Sequence, residues 1–215
     1  MTICFNEIYS LTSTADWMTQ PFQGFSLDSR HVAKGQIFIA LTSYSQPEKT
    51  IQFAQSALDC GALAVISEVD LNLANAVTIP NVRQLMGQWQ KQYLQATQPV
   101  VAARVIAVTG TNGKTTISRL IAELLMLQAK KCAVMGTTGN GILPNLEASS
   151  HTTLDALHLQ NALHDYAQQG AEFASIEASS HGLEQGRLNG CNIEIAAYSN
   201  LSRDHLDYHG TLEAY

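Results

Sequence analysis

The stretch that decides the fold reads Arg104-Val105-Ile106-Ala107-Val108-Thr109-Gly110-Thr111-Asn112-Gly113-Lys114-Thr115-Thr116. Its first six residues form a largely apolar run without alternation, which predicts a strand that is buried on both faces. A glycine loop follows, and the residues from Lys114 to about Lys130 have the apolar spacing of a helix. This order of strand, glycine loop and helix predicts an α/β fold with a phosphate-binding loop.

The loop has the chemistry that phosphate binding requires. Its glycines let backbone N–H groups surround phosphate oxygens, and the helix N-terminus adds partial positive charge. Lys114 can reach the outer phosphates, and the hydroxyl of Thr115 can bind Mg²⁺. The match to the pattern G-x-x-x-x-G-K-[ST] is imperfect, because Val108 stands at the first glycine. The alternative is a glycine turn that only begins a helix.

Composition narrows the class of protein. The 215 residues include 12 Lys and Arg against 18 Asp and Glu, a formal net charge of −6. An acidic chain is a poor partner for nucleic acid or anionic membranes, since both attract basic surfaces. The four cysteines are scattered, as in a reducing compartment, and neither a signal peptide nor an apolar span of ~20 residues occurs. We therefore expect a cytoplasmic protein.

The pattern along the chain predicts two α/β domains. Residues 1–95 alternate short β-branched runs with helical spacing and form a small N-terminal domain, in which Asn81 can cap a helix. Residues 95–99 are interpreted as a linker, and the second domain spans residues 96–215. Its four predicted strands alternate with helices, which favours a mostly parallel sheet. Because the last six residues resemble the start of a helix, we expect this P-loop domain to be truncated.

Two further polar groups follow predicted strands of the second domain. Glu177 ends the strand that begins at Phe173, where it can hold Mg²⁺, or be a solvated acid at the end of a strand. His205 lies after the last predicted strand and can bind a metal, or be merely exposed. The string Ser179-Ser180-His181-Gly182 is disfavoured as a hydrolase site, because it lacks a G-x-S-x-G elbow and an orienting acid.

Four strings together resemble the Mur ligase family. They are residues 110–116, Glu177-Ala178-Ser179-Ser180-His181-Gly182-Leu183, Asn200-Leu201-Ser202-Arg203-Asp204-His205-Leu206-Asp207-Tyr208-His209-Gly210, and Leu27-Asp28-Ser29-Arg30. The last two are similar to the family's E type, and Ser199 stands where the family usually has threonine. The resemblance implies ATP-dependent amide formation through an acyl phosphate. A diamino acid, expected to be meso-diaminopimelate, would be added to UDP-N-acetylmuramoyl-L-Ala-D-Glu by a monomeric enzyme.

The resemblance also implies roles for individual residues. ATP would be held by Gly110, Thr111, Asn112, Gly113, Lys114, Thr115 and Thr116. Mg²⁺ would be bound by Thr115, Glu177 and His205, and the catalytic residues would be Lys114, Glu177 and His205. The UDP moiety would contact Leu27, Ser29, Tyr44, Ser45 and Gln46. The muramoyl-dipeptide would contact His151, Thr152, Thr153, Ser179, Gln185 and Arg187.

The chain departs from the family pattern at two places. His151 replaces the usual asparagine, although imidazole can still make one hydrogen bond. The family's carbamylated lysine and amine-binding domain would lie beyond Tyr215, so we expect the 215 residues alone to have no ligase activity. Alternatives are a ligase of the MurF or folylpolyglutamate synthase type, or a non-catalytic module that binds a UDP-sugar or nucleotide.

Overall fold

The computed structural model describes residues 2–10, 15–42, 46, 48–149 and 151–215. It divides the chain into two compact units, Met1–Pro99 and Val100–Tyr215. Within the described ranges, no helix is both long and apolar enough to cross a membrane. Both units are α/β, as the sequence predicts.

The first unit contains a four-stranded parallel sheet in the order β1-β2-β3-β4. Its elements are α1 (Phe5–Ile8), a 3-10 helix (Asp16–Thr19), β1 (Phe25–Ser26), β2 (Ile37–Ala40), α2 (Glu48–Asp59), β3 (Ala64–Ser67), β4 (Ala76–Thr78) and α3 (Val82–Thr97). Strands β2 and β3 are buried along their whole length, which explains their unbroken apolar sequences. Helix α2 turns Ala54 and Ala57 inward but leaves Phe53 half exposed.

Helix α3 differs from its prediction at both ends. The side chain of Asn81 makes no capping hydrogen bond, because the residue adopts the left-handed conformation with φ 59°. Asn81 therefore stands at the N-cap position, as predicted, but its side chain does not cap the helix. The helix continues to Thr97, so the segment interpreted as a linker is helical over most of its length. Trp89 on this helix is buried against Phe5, with ring centroids 5.3 Å apart.

The second unit contains a six-stranded sheet in the order β10-β5-β9-β6-β7-β8. Its elements are β5 (Arg104–Thr109), α4 (Lys114–Leu127), β6 (Cys132–Gly136), β7 (Gly139–Ile142), β8 (Asn145–Glu147), α5 (Ala156–Gln168), β9 (Phe173–Glu177), α6 (Ser180–Glu184), β10 (Ile193–Tyr198) and α7 (Leu206–His209). The four strands predicted from the sequence are parallel to one another. The sheet is thus mostly parallel.

The sequence did not predict the antiparallel hairpin β7–β8. Glycine is depleted in strands, and this hairpin has Gly139 and Gly141, both with positive φ. A Cβ at Gly141 would overlap the carbonyl oxygen of Asn145. The glycines that make the hairpin hard to recognise in the sequence therefore allow its strands to approach each other.

Helix α4 also packs differently from the apolar pattern of its sequence. The helix ends at Leu127, and Ala129 then adopts the left-handed conformation. Its buried residues are Ser118 and Ala122, whereas Leu120 and Leu124 are 50% and 58% exposed. The small side chains let the helix lie close to β6 and β9. Its N-terminus is thereby held at the carboxyl ends of the parallel strands.

Candidate nucleotide and metal site

The glycine loop of residues 110–113 joins β5 to α4 at the carboxyl edge of the sheet. Gly113 stands at the N-cap of α4 in the left-handed conformation, with φ 88°, which glycine adopts without steric cost. Gly110 has φ 126°, and a Cβ there would overlap the Oγ of Ser199. The two glycines are thus required by backbone conformation and by close approach of the chain. The loop and helix predicted from the sequence are confirmed.

Residues directly after β10 hold the loop in place. Ser199 Oγ is 2.7 Å from the carbonyl oxygen of Asn112 and 3.0 Å from that of Thr109. Asn200 Nδ2 donates to the same Asn112 carbonyl at 2.9 Å, and Asn112 N donates back to Asn200 Oδ1 at 3.2 Å. The sequence assigned no role to Asn200. Its position next to a strand end was the available signal, but the partner lies 88 residues away.

Lys114 folds back onto the loop. Its Nζ donates to the carbonyl oxygens of Gly110 at 2.6 Å and Thr111 at 3.0 Å. The side chain also lines a cavity of about 380 Å³, together with Ser179, His205 and other residues of the second unit. A cation on a loop whose backbone can surround phosphates is placed to contact their outer oxygens.

Glu177 is buried beside the loop. It ends β9, is 1% exposed, and accepts a hydrogen bond of 2.8 Å from Thr115 Oγ1 to its Oε2. Thr137 N donates to the other oxygen, Oε1, at 2.8 Å. The alternative of a solvated acid is therefore wrong. In the described part of the chain, none of the ion pairs includes Glu177.

The donor atoms at Glu177 fit a magnesium ion. A buried carboxylate without a cationic partner is costly, and a bound cation would remove that cost. Magnesium prefers oxygen ligands and is often held by one or two carboxylates together with phosphate oxygens. The Thr115 hydroxyl and the Glu177 carboxylate supply two such oxygens next to the phosphate-binding loop.

His205 lines the same cavity as Lys114. Its ring centroid is 5.0 Å from that of His181, and its Nε2 is 3.7 Å from Asp204 Oδ2. Among the residues that the structure describes, no three His, Cys, Asp or Glu side chains are grouped as metal ligands. Thr115 and Glu177 therefore meet, whereas the metal-binding and catalytic roles of His205 stay predictions.

The string at 179–182 forms a short helix. Ser179 is the N-cap of α6, and its Oγ accepts a hydrogen bond from Gly182 N at 3.1 Å. Ser180 Oγ is paired at 3.0 Å with His209 Nε2, and not with the adjacent His181. Burial, together with the nearby His205 and His209, lowers the pKa of His181.

Hydrogen bonds connect four of the residues predicted to contact the muramoyl-dipeptide: Thr153, Ser179, Gln185 and Arg187. Thr153 is 2% exposed, and its Oγ1 is 2.7 Å from the Glu177 carbonyl oxygen and 3.0 Å from Ser179 Oγ. Arg187 NH1 donates to the Thr153 carbonyl at 2.7 Å, and its Nε and NH2 both donate to Gln185 Oε1. His151 is exposed, and its backbone is hydrogen-bonded to Ser149.

The predicted UDP-contacting residues belong to the first unit. Leu27 lines a cavity of about 200 Å³ with Phe38, Phe53 and their neighbours. Ser29 is buried, at 6% exposure, and Gln46 is exposed. Tyr44 and Ser45 lie outside the described residues. Beside them Asp28 accepts two hydrogen bonds from the guanidinium of Arg30, which hold the pKa of Asp28 well below its usual range.

Known proteins resemble the chain along most of its length. Residues 108–215 match the model of the Mur ligase middle domain. A UDP-N-acetylmuramoyl-L-alanyl-D-glutamate–2,6-diaminopimelate ligase from Vibrio cholerae is 43% identical over 196 residues, covering 88% of this chain and 39% of that protein. The enzyme of the same name from Vibrio vulnificus is 40% identical over 215 residues, covering 94% and 43%.

The solved structures that resemble the chain are also those of Mur ligases. A structure of a UDP-N-acetylmuramoyl-L-alanyl-D-glutamate–2,6-diaminopimelate ligase shares 72% identity with a TM-score of 0.95, covering 100% of this chain and 43% of that one. MurF ligase from Thermotoga maritima in complex with ADP is 23% identical, with a TM-score of 0.59 over 89% of this chain and 40% of that one. The latter likeness shows the fold alone. The chain spans about two fifths of the length of the curated relatives it matches.

Proposed function

The chain belongs to the Mur ligase family, and we propose that it acts as part of an ATP-dependent amide ligase of peptidoglycan precursor synthesis. The ligase would join a diamino acid, meso-diaminopimelate, to UDP-N-acetylmuramoyl-L-Ala-D-Glu. One observation carries the proposal: a structure described as this ligase superposes on the whole chain with a TM-score of 0.95 at 72% identity. This reaction would take place in the cytoplasm. It belongs to cell-wall assembly, and so contributes to cell shape and cell division.

The geometry supports a different role for each group of residues around ATP. The backbone of residues 110–113 would surround the phosphates, with Lys114 neutralising charge on the outer ones. Thr115 and Glu177 would hold Mg²⁺, with His205, which lines the cavity together with Lys114, as a further ligand. The bound ion would neutralise charge on the phosphoryl group while it transfers to the substrate carboxylate. Lys114, Glu177 and His205 are therefore our proposed catalytic residues.

The acceptor carboxylate would be placed by the group around Arg187. A guanidinium presents a fork of N–H donors that suits a carboxylate, and Gln185 holds this fork in one orientation. Ser179, Thr152, Thr153 and His151 would position the peptide. Once phosphorylated, the acceptor would be attacked by the amine of the diamino acid, and a tetrahedral intermediate would expel phosphate. Fixed placement of the reacting groups lowers the barrier of such a step.

The first unit would bind the UDP moiety through Leu27, Ser29, Tyr44, Ser45 and Gln46. The partners would thus be UDP-N-acetylmuramoyl-dipeptide, ATP with Mg²⁺, and a diamino acid. We expect neither nucleic acid nor a membrane to be a partner. We expect the 215 residues by themselves to be monomeric and to form no amide, since the matched relatives are more than twice as long.

Calorimetric titration of this chain with UDP-N-acetylmuramoyl-L-Ala-D-Glu tests the proposal. We expect saturable binding that Ser29→Ala weakens and that a folate analogue does not reproduce. The exposed His31→Gln variant, which leaves Leu27 and Ser29 in place, serves as the matched control. Binding of the folate analogue in place of the UDP-sugar would favour a folylpolyglutamate synthase and overturn the proposal.

A further inference from the structure

Thr137 lies where β6 ends, beside the buried carboxylate of Glu177. We propose that Thr137 is a positioning residue that orients this carboxylate for the metal, an inference that rests on the proposed function. Its backbone N donates to Glu177 Oε1 at 2.8 Å, and its hydroxyl is 3.3 Å from Oε2. Thr137 therefore contacts both oxygens of a side chain that is 1% exposed.

These contacts fix the plane of the carboxylate. Oε1 is held by the Thr137 N–H, while Oε2 is shared between the hydroxyls of Thr115 and Thr137. Three donors on two oxygens leave little freedom to rotate about the last side-chain bond. Each carboxylate oxygen has two lone pairs, so Oε1 keeps one lone pair for a ligand beyond these contacts.

Gly136 allows Thr137 to come this close. A Cβ at position 136 would overlap Oε1 of Glu177 and lie about 2.5 Å from its Cδ, nearer than atoms that are not bonded approach. The backbone can therefore pass directly over the carboxylate, and the N–H of the next residue reaches Oε1. Gly136 thus provides the space, and Thr137 provides the N–H donor, for one hydrogen bond to Glu177.

The Thr137 hydroxyl also connects Glu177 to the predicted acceptor side. Thr137 Oγ1 lies 3.3 Å from Thr152 Oγ1 as well as 3.3 Å from Glu177 Oε2. A hydroxyl has one proton, and an ionised carboxylate can only accept. The single Thr137 proton is therefore shared between two acceptors, Glu177 Oε2 and Thr152 Oγ1. This chain of hydrogen bonds joins Thr115 at the nucleotide to Thr152 beside the dipeptide.

The test compares the affinity of the 215-residue chain for ATP with and without Mg²⁺ by calorimetry, for wild type, Thr137→Val and Thr137→Ser. Valine keeps the shape and the backbone N–H but has no hydroxyl. We expect Thr137→Val to reduce the gain in affinity caused by Mg²⁺ by roughly tenfold or more, as for one lost hydrogen bond to a charged group. Thr137→Ser should restore the gain, and affinity without Mg²⁺ should not change.

Glu177→Gln separates this inference from the proposed function. If Mg²⁺ strengthens ATP binding to wild type but not to Glu177→Gln, the nucleotide and metal site stands, and Thr137→Val then decides the role of Thr137. An unchanged Mg²⁺ gain in Thr137→Val would overturn the inference alone. A fall in affinity that is equal with and without Mg²⁺ would also overturn it, because the hydroxyl would then support only the fold. Absence of any Mg²⁺ gain in wild type would overturn both.

Discussion

Thr115 Oγ1 lies 2.8 Å from Glu177 Oε2, although the two residues are 62 positions apart in the chain. The first residue is in the first turn of α4, and the second ends β9. The parallel sheet brings them together because the carboxyl ends of adjacent strands meet at one edge. A hydroxyl and a buried carboxylate thus converge beside the glycine loop, an arrangement that suits the magnesium site we propose.

Glu177→Gln should abolish the strengthening of ATP binding by Mg²⁺, because the amide has nearly the shape of the carboxylate but no charge. We expect a loss of at least about tenfold in affinity at saturating Mg²⁺, the cost of removing an ionic ligand of the metal. Calorimetry measures the effect. The control is Glu172→Gln, whose carboxylate is half exposed and pairs with Lys130 at 3.2 Å. Equal losses in the two variants would contradict the site.

Gly136→Ala should destabilise the second unit, since its Cβ would overlap the carboxylate of Glu177. Overpacking of this kind costs about 1–3 kcal/mol, and thermal unfolding measures it. The double variant Gly136→Ala/Glu177→Ala removes the atoms that clash. If the clash is the cause, adding Gly136→Ala to Glu177→Ala will cost much less than adding it to wild type. Equal costs in both backgrounds would show that another contact is responsible.

Asn200→Ala should weaken ATP binding in the absence of Mg²⁺ as well as in its presence. The substitution removes two hydrogen bonds to the backbone of Asn112, so the loop must be ordered when the phosphates bind. A loss of about tenfold corresponds to 1.4 kcal/mol, within the range for two such bonds. Asn189→Ala, at an exposed position outside the loop, is the control. Unchanged affinity in Asn200→Ala would mean that Ser199 and the backbone contacts of Thr111 are enough to hold the loop.

His158→Gln should reduce stability at acidic pH but not at alkaline pH. The hydrogen bond to Asp155, 2.7 Å long, raises the pKa of His158. A raised pKa stabilises the fold fully below the pKa of the unfolded chain, near 6.5, and the benefit is lost as pH rises through the folded value. Because the His158 side chain is 67% exposed, we expect less than about 1 kcal/mol.

Thermal melts at pH 5.5 and 9 test the histidine effect. Asp155→Ala provides the comparison, since Asp155 also caps α5 through the backbone N–H groups of Leu157 and His158. Loss of this cap should cost about 1 kcal/mol at both pH values. A His158→Gln penalty that does not change with pH would argue for packing rather than charge.

Cys132 should resist thiol reagents in the folded protein, whereas Cys60 should react at once. Cys132 is fully buried, and burial raises the pKa of its thiol to about 11, so little thiolate forms near neutral pH. Cys60 is exposed at the end of α2. Labelling with a chromogenic disulfide at pH 8 measures both rates, and Cys60→Ser should remove the fast phase. Fast labelling of Cys132 in that variant would show that the second unit opens locally.

Much of the site could be predicted because its signals are local. The run 104–109, the glycine loop and the following helix have recognisable residue types within a short window, and the structure contains all three. Glu177 was recognised from its place at the end of a strand. Its burial could not be predicted, because the atoms that cover it come from residues 115 and 137.

Thr137 and Asn200 were missed for the same reason. Neither belongs to a pattern that specifies chemistry by itself, and their partners are 40 and 88 residues away. The buried face of α4 could not be predicted either, because apolar spacing marks a helix but does not say which side meets the sheet. Close packing on β6 and β9 selected the small residues Ser118 and Ala122 instead.

The sequence by itself determined the four parallel strands of the second unit, the glycine loop with the helix that follows it, and the family, since each depends on residues that are neighbours in the chain. Only the tertiary structure decided that Glu177 is buried, that Thr115 and Thr137 share its oxygens, and that Ser199 and Asn200 hold the loop. These contacts form because parallel strands that are distant in sequence end at one edge of the sheet. That convergence turns separate polar residues into one site.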